Sequence, residues 1–150
     1  MTARATDYLV ENDAARAELA EVIAGLSEDD LRRPTHSGWT VASTLAHLAY
    51  WDRRYRLELL RWERGEAGAV TGPEWADDDT NAALLPEWLA IPPREAYRLA
   101  LEAAEAVDTL VAALSPSTVD AVVTARRRWL LHRHGHRREH LAEIRNALAA

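Results

Sequence analysis

The sequence lacks two residue types on which much enzyme chemistry depends. It contains no cysteine, which excludes a disulfide framework, a thiolate nucleophile and a thiolate zinc site within the chain. It contains no lysine either, since all 18 basic residues are arginine, and this excludes Schiff-base chemistry and the P-loop lysine. The six glycines never fall into the G-x-G-x-x-G spacing that cradles phosphates. Most nucleotide-dependent functions are therefore disfavoured.

Long apolar runs are absent as well. No stretch approaches the ~20 apolar residues of a membrane span, and the N-terminus has an acidic middle where a signal peptide has its apolar stretch. We therefore expect no membrane partner, and the missing cysteines fit a cytoplasmic location. The 150 residues, of which 48% are hydrophobic, suffice for a single domain over residues 1–150 with its own core.

The charge of the chain is acidic overall but unevenly distributed. A net charge of -6 argues against general nucleic-acid binding, which needs a basic footprint. Residues 126–145 nevertheless carry seven arginines and only two acids. Such a basic stripe either pairs with the acidic N-terminal helix, which we favour, or receives an anionic substrate. Arg126 and Arg128 are the candidates for substrate contact, and a solvated surface is the more ordinary interpretation of both.

Apolar residues recur at helical spacing in four segments, and no alternating β pattern occurs. Helix two is the best defined, because a hydroxyl N-cap and a glycine stop enclose a run without Gly or Pro. Helix four has no clear start, since it begins somewhere between Val119 and Arg126. The four helices are predicted over residues 6–25, Thr40 to Arg64, Arg94 to Leu114, and from that start to about Leu148.

The connection between helices two and three is unusually long. Residues 65–93 hold four prolines, three glycines and an acidic run, so we expect no long regular element there. At most, Asn81 to Ala90 forms a short interrupted helix. A connection of this length should cross over the bundle or cover one end of it. The sequence therefore predicts an all-α fold, a four-helix bundle with a long crossover connection between helices two and three.

Histidines are concentrated near the C-terminus. His136 and His140 are four residues apart, so on a helix their imidazoles lie one turn apart on one face and can bind one metal ion. A helical projection places this pair, and His47 on helix two, at the edge of an apolar face, and such edges meet at a bundle groove. His132 shares the face of His136 in that projection and competes for a place. Chance pairing and ordinary core packing of a lone histidine remain open alternatives.

Several neighbours of these histidines could shape a site. Asp52 falls at the centre of the apolar stripe of helix two, where it requires an arginine partner in the core or has an acid–base role. Glu139 and Glu143 flank the histidine pair and either orient the imidazoles or pair with nearby arginines. Gly135 lowers helix propensity by about 1 kcal/mol and is a candidate for a local break in helix four.

Two short motifs resemble one known family. SGWTVASTLAHLAYWDRR at 37–54 and HRREHLAEI at 136–144 resemble the DinB/YfiT-like superfamily of small bacterial four-helix proteins. In that superfamily a tryptophan-led helix two carries one histidine, and an H-x3-H motif on the last helix supplies two more to a divalent metal. The resemblance thus implies that His47, His136 and His140 bind a divalent ion, with zinc or nickel favoured.

The resemblance also implies a class of function. Relatives such as mycothiol-dependent maleylpyruvate isomerases and bacillithiol transferases use a low-molecular-weight thiol. We therefore expect a metal-dependent enzyme acting on a small molecule, a transferase, isomerase or hydrolase that activates water or such a thiol, and a homodimer. Trp51 and Trp129, which the projection places beside the histidines, are candidates for substrate contact.

Two alternatives stay open at this stage. The C-terminal segment is also similar to the four-helix branch that includes the ClbS/DfsB resistance proteins, whose members need not use metal. That similarity implies a metal-independent hydrolase or sequestering protein. The other alternative is a helical binding or dimerisation module in which the metal site is vestigial.

Overall fold

Helices dominate the part of the chain that the structure describes. A computed structural model describes residues 7–66 and 75–150, within which no strand occurs. The predicted all-α fold is confirmed. A single 3₁₀ turn, Arg128–Leu130, lies between the last two helices. The helices are α1 (Asp7–Ala24), α2 (Glu28–Arg32), α3 (Val41–Glu63), α4 (Trp75–Ala90), α5 (Pro93–Ala113), α6 (Pro116–Thr124) and α7 (His134–Ala149).

The four long helices α1, α3, α5 and α7 form the core of the fold. Helix α3 packs against α5 and α7, and α1 packs against the same two helices, which gives a closed four-helix arrangement. The buried side chains form two apolar clusters, one around Leu45 and Leu141 and the other around Leu59 and Leu130. Within residues 7–66 and 75–150 no single helix is long and apolar enough to span a membrane. Helices α5 and α6 reach that length and composition only as a pair, across a bend of 103°.

Helix α3 has the boundaries that its sequence predicts. Thr40 caps its N-terminus in a capping box with Ser43, in which each side chain accepts a hydrogen bond from the other residue's backbone N–H. At the other end Gly65 adopts a φ of 75°, a left-handed conformation that glycine takes at little steric cost. These caps fix the register of α3 and place His47 in its second turn.

The connection after α3 differs from the sequence prediction. We expected no long regular element over residues 65–93, but α4 runs for 16 residues through Pro86. Acidic Asp77 and Asp78 lie in its first turn, where they favour a helix N-terminus, and Trp88 buries itself in the core. Tertiary packing therefore offsets the cost of the internal proline. Residues 67–74 of this connection lie outside the described residues, as do residues 1–6, the last of which begins predicted helix one.

Predicted helix four is not continuous. The chain forms α6, turns through Arg126 at a φ of 60°, passes the 3₁₀ turn and restarts as α7 at His134. The prediction that His132 shares a helix face with His136 is therefore wrong. Gly135 falls in the first turn of α7, so it does not interrupt the helix between His136 and His140.

Candidate metal centre

Three histidine side chains from two helices converge at one point. The Nε2 atom of His136 lies 3.0 Å from Nε2 of His47 and 3.1 Å from Nε2 of His140. One nitrogen from each ring lies within 4.8 Å of the others. Helix α3 supplies His47, and α7 supplies the other two one turn apart, since helical residues four apart share a face. The fold thus brings together the three residues that the sequence singled out.

The spacing of these nitrogens fits a shared divalent ion. Two imidazole nitrogens bound to one ion at about 2.1 Å lie about 3.0 Å apart when their bonds meet at a right angle, and about 3.4 Å apart at a tetrahedral angle. The two measured separations match the right-angle value. Three ring nitrogens with no carboxylate among them also form a donor set that suits zinc, nickel or a similar ion.

Burial keeps two of the three rings neutral. Loss of hydration, and next the neighbouring His140, lowers the pKa of His47 to about 3. Burial likewise lowers the pKa of His136 to about 2, with the nearby Arg133 guanidinium as the next cause. A metal ion binds neutral imidazole, so at neutral pH neither ring carries the additional proton of an imidazolium that would oppose binding.

The His140 ring is oriented by a carboxylate. Its Nδ1 lies 2.9 Å from Oε2 of Glu143, and since an ionised carboxylate only accepts, Nδ1 carries the proton. The lone pair of Nε2 therefore points at the other two histidines. Nδ1 of His36 lies 3.8 Å from the same carboxylate oxygen. Glu143 thus has the orienting role that was one of its two predicted alternatives, whereas Glu139 is exposed at the cavity wall.

The His47 ring is enclosed by indoles. Only 4% of the residue is exposed, and its Nδ1 has no hydrogen-bond partner among the described residues. The ring meets Trp39 and Trp88 edge to face, each at a centroid distance of 5.2 Å. An N–H group directed at an aromatic face is a weak hydrogen-bond donor. Packing between these indoles holds Nε2 toward the other histidines.

A buried ion-pair network supports the third ring. Asp52 accepts from Nε of Arg133 at 2.9 Å and from Nη2 of Arg137 at 3.3 Å, which confirms the prediction of an arginine partner in the core. Arg137 is fully buried and also donates two 2.8 Å hydrogen bonds to Asp108. Nη2 of Arg133 lies 3.3 Å from Nδ1 of His136. The network therefore links the His136 ring to α3 and α5.

A large cavity opens beside the three histidines. It has a volume of about 1350 Å³, and its walls include Trp51 and Trp129, as the sequence predicts. Trp129 is 48% exposed, whereas Trp51 is almost buried. His132 also lines this cavity, but its ring lies tilted against Tyr8 at a centroid distance of 5.0 Å and does not join the other three. The metal-ligand group found within residues 7–66 and 75–150 contains only His47, His136 and His140.

The two arginines that the sequence suggested for substrate contact lie away from this cavity. Arg126 and Arg128 are exposed, and neither is among the described residues that line the cavity. Arg54 and Arg133 are the cavity-lining arginines in the described ranges. One arginine of the basic stripe pairs with α1 as we favoured, since Arg138 contacts Glu11 and Glu18. Other arginines of the stripe pair with carboxylates on α3 and α5.

Sequence reasoning missed two contributors to the site. Asn81 lines the cavity from α4, a helix whose length the prolines and glycines of the connection concealed. Arg133 was missed because the buried position of Asp52 predicts a cationic partner but does not identify which of the 18 arginines it is. A helical projection cannot find such a partner, since Arg133 precedes the first residue of α7.

Comparison with known proteins places the chain in a family. A family model described as the DinB superfamily matches residues 11–144, which include all of α3, the part of α7 up to Ile144, and all three histidines of the group. The chain belongs to the DinB superfamily. No curated protein and no solved structure matches it. Membership of the DinB superfamily and the three-histidine group are together compatible with a metal-dependent enzyme.

Proposed function

We propose that this DinB-superfamily protein is a metal-dependent enzyme that acts on a small molecule. The convergence of His47, His136 and His140 at the wall of a large cavity is the observation that carries the proposal. A closed structural site would be enclosed by protein, whereas this one faces open space that can hold a substrate. Zinc and nickel are the ions that we favour.

The residues around the centre have separable roles. The three histidines bind the ion, Glu143 holds the His140 proton on Nδ1, and Arg133 lies against Nδ1 of the His136 ring. A divalent ion held there would polarise a carbonyl or lower the pKa of a water or thiol. Indole walls formed by Trp39 and Trp51 exclude water and suit an apolar or aromatic part of the substrate.

The sequence offers neither a cysteine nor a lysine nucleophile. We propose that the nucleophile is water or a low-molecular-weight thiol, which makes the protein a thiol-dependent transferase or isomerase, or a hydrolase. The resemblance of the histidine motifs to thiol-dependent proteins is the ground for including a thiol. The cavity is large enough for a substrate and a thiol together, since ligand pockets are typically about 300–1,000 Å³.

A substrate panel tests the proposed function. Metal-loaded protein is offered electrophiles together with mycothiol, bacillithiol, glutathione or water alone, and products are followed by mass spectrometry. Activity is expected with wild type and not with His47→Gln, which removes one ligand but keeps a polar side chain. Equal activity of both proteins would instead support a metal-independent hydrolase. Ligand retention without turnover would support a sequestering or binding role.

The homodimer and the cytoplasmic location remain proposals that rest on the family resemblance and on the absence of cysteine. Sedimentation velocity at micromolar concentration tests the dimer. A single 16.8 kDa species would contradict it.

A further inference from the structure

A fourth polar side chain approaches the point where the three histidines meet. Asn81 on α4 accepts a hydrogen bond at Oδ1 from Nε1–H of Trp51, at 2.8 Å. The Trp51 ring lies beside the His47 ring at a centroid distance of 6.4 Å, and the Asn81 side chain interacts with the His47 ring. Asn81 lines the same cavity as the three histidines. The Nε2 edge of the His47 ring faces His136 in that cavity.

The indole fixes which way the Asn81 amide points. A tryptophan side chain has only a donor, so the atom that faces it must be the amide oxygen. A carbonyl-type oxygen has two lone pairs, and the indole uses one of them. The second lone pair is free to bind a cation, and amide oxygens are accepted ligands of divalent ions.

We propose that Asn81 is a fourth protein ligand of the ion, through Oδ1. This inference rests on the proposed metal-binding role of the three histidines. Two of the three separations between their ring nitrogens match ligands that meet at right angles, and an octahedral ion with such angles has more positions than three histidines fill. Trp51 holds the amide in the required orientation, as outer hydrogen bonds commonly do for metal ligands.

The proposal gives α4 a function. Without Asn81 the ion would be held by α3 and α7 alone, and α4 would only cover the cavity. Trp88, two turns along α4 from Asn81, already packs against His47 at a centroid distance of 5.2 Å. An ion bound by Asn81 would therefore join all three helices at one point.

Cobalt titration tests the proposal. Wild type, Asn81→Ala and Asn81→Asp are titrated with Co²⁺, the Kd is measured by chelator competition, and the visible absorption of the bound ion reports its ligands. We expect Asn81→Ala to weaken binding about tenfold and Asn81→Asp to tighten it about tenfold, since a carboxylate is the stronger ligand. Both absorption spectra should differ from that of wild type. Asn146→Asp, an equal charge change at an exposed α7 position, should leave both unchanged.

The outcomes separate this proposal from the one on which it rests. If wild type binds no Co²⁺, the proposed metal centre itself is wrong. If wild type binds Co²⁺ and both Asn81 variants keep its Kd and spectrum, the centre stands and the role of Asn81 is refuted. Should Asn81→Ala lose its helical circular dichroism, the near-isosteric Asn81→Asp decides the question. Trp51→Phe, which removes only the indole donor, should weaken binding less than Asn81→Ala.

Discussion

The three imidazoles of this centre have three different kinds of neighbour. A carboxylate faces His140, a guanidinium faces His136, and indole rings enclose His47. A carboxylate increases the basicity of the ring that it contacts, whereas a guanidinium decreases it. The ligands should therefore contribute unequally, with His140 the strongest donor of the three.

Replacing the Glu143 carboxylate tests whether the three histidines contribute unequally to metal binding. Glu143→Gln should weaken metal binding by about 10–100-fold, because His140 loses the acceptor that fixes its Nδ1 proton. Chelator competition measures the Kd. Glu139→Gln is the matched control, since Glu139 lines the same cavity on the same helix and should change the Kd little. Equal effects of the two substitutions would show that Glu143 acts only through its charge.

Buried neutral histidines also make the metal-free protein sensitive to acid. Below about pH 6.5 the unfolded chain takes up protons that the folded rings do not, since the pKa values of His47 and His136 are lowered to about 3 and about 2. The free energy of unfolding should therefore fall with pH below that point, by at most about 1.4 kcal/mol per pH unit for each ring. It should go on falling toward the folded pKa values.

Urea unfolding in chelator at several pH values between 7 and 4.5 measures this slope. His47→Gln and His136→Gln should each show a shallower pH dependence than wild type, because each lacks one of the rings. Identical slopes in wild type and both variants would mean that other groups control the acid sensitivity.

At the residue scale the sequence predicted the ligands better than their surroundings. His136 and His140 could be predicted as a pair because their four-residue spacing on a helix is a local signal. The match of His47 to a family motif added the third candidate ligand. Glu143 lies one turn from His140 on the same helix, so it was among the predicted neighbours. Arg133 and Asn81 come from segments whose path depends on tertiary packing, and no local pattern identifies them.

The individual elements show how α7 is held in position. It begins at His134, and its fully buried Arg137 bridges Asp52 on α3 and Asp108 on α5. Burial raises the pKa of Asp108 despite this pairing. Breaking a buried ion pair from one side leaves an uncompensated charge, which costs more than the intact pair contributes.

Removal of this arginine should strongly destabilise the fold. Arg137→Ala should lower the free energy of unfolding by about 3–5 kcal/mol, because two buried carboxylates lose a partner. Urea denaturation monitored by circular dichroism measures the loss. Arg138→Ala, at the next position, is the control and should have a small effect, since its partners Glu11 and Glu18 are partly exposed. Similar losses in both variants would argue against a special role for the buried network.

Elements with local signals were predicted well, and those that depend on packing were not. The ends of α3 follow from Thr40 and Gly65, which act within one turn of the helix. Helix α4 was missed because its proline and acidic run resemble a loop, whereas its stability comes from contacts with the core. The break between α6 and α7 passes through Arg126, whose φ is positive. An arginine in the sequence does not predict this left-handed conformation.

Considered as a whole, the molecule buries two apolar clusters that join side chains of α1, α3, α5 and α7 directly. Metal-free protein should therefore stay folded, and a free ion concentration 100 times the Kd should add about 2.7 kcal/mol to the free energy of unfolding. Urea unfolding with the ion and with a chelator measures this increment. A chelator that unfolds the protein outright would contradict the prediction.

The central claim is that His47, His136 and His140 form one metal centre, and elemental analysis tests it most directly. Untagged wild type and His47→Gln are loaded with zinc or nickel, desalted and analysed for metal per chain. We predict about one ion per chain for wild type and less than about a tenth of an ion for the variant, with both proteins equally helical. A wild type that retains less than about a tenth of an ion, or a His47→Gln variant that retains a full one, would contradict the account.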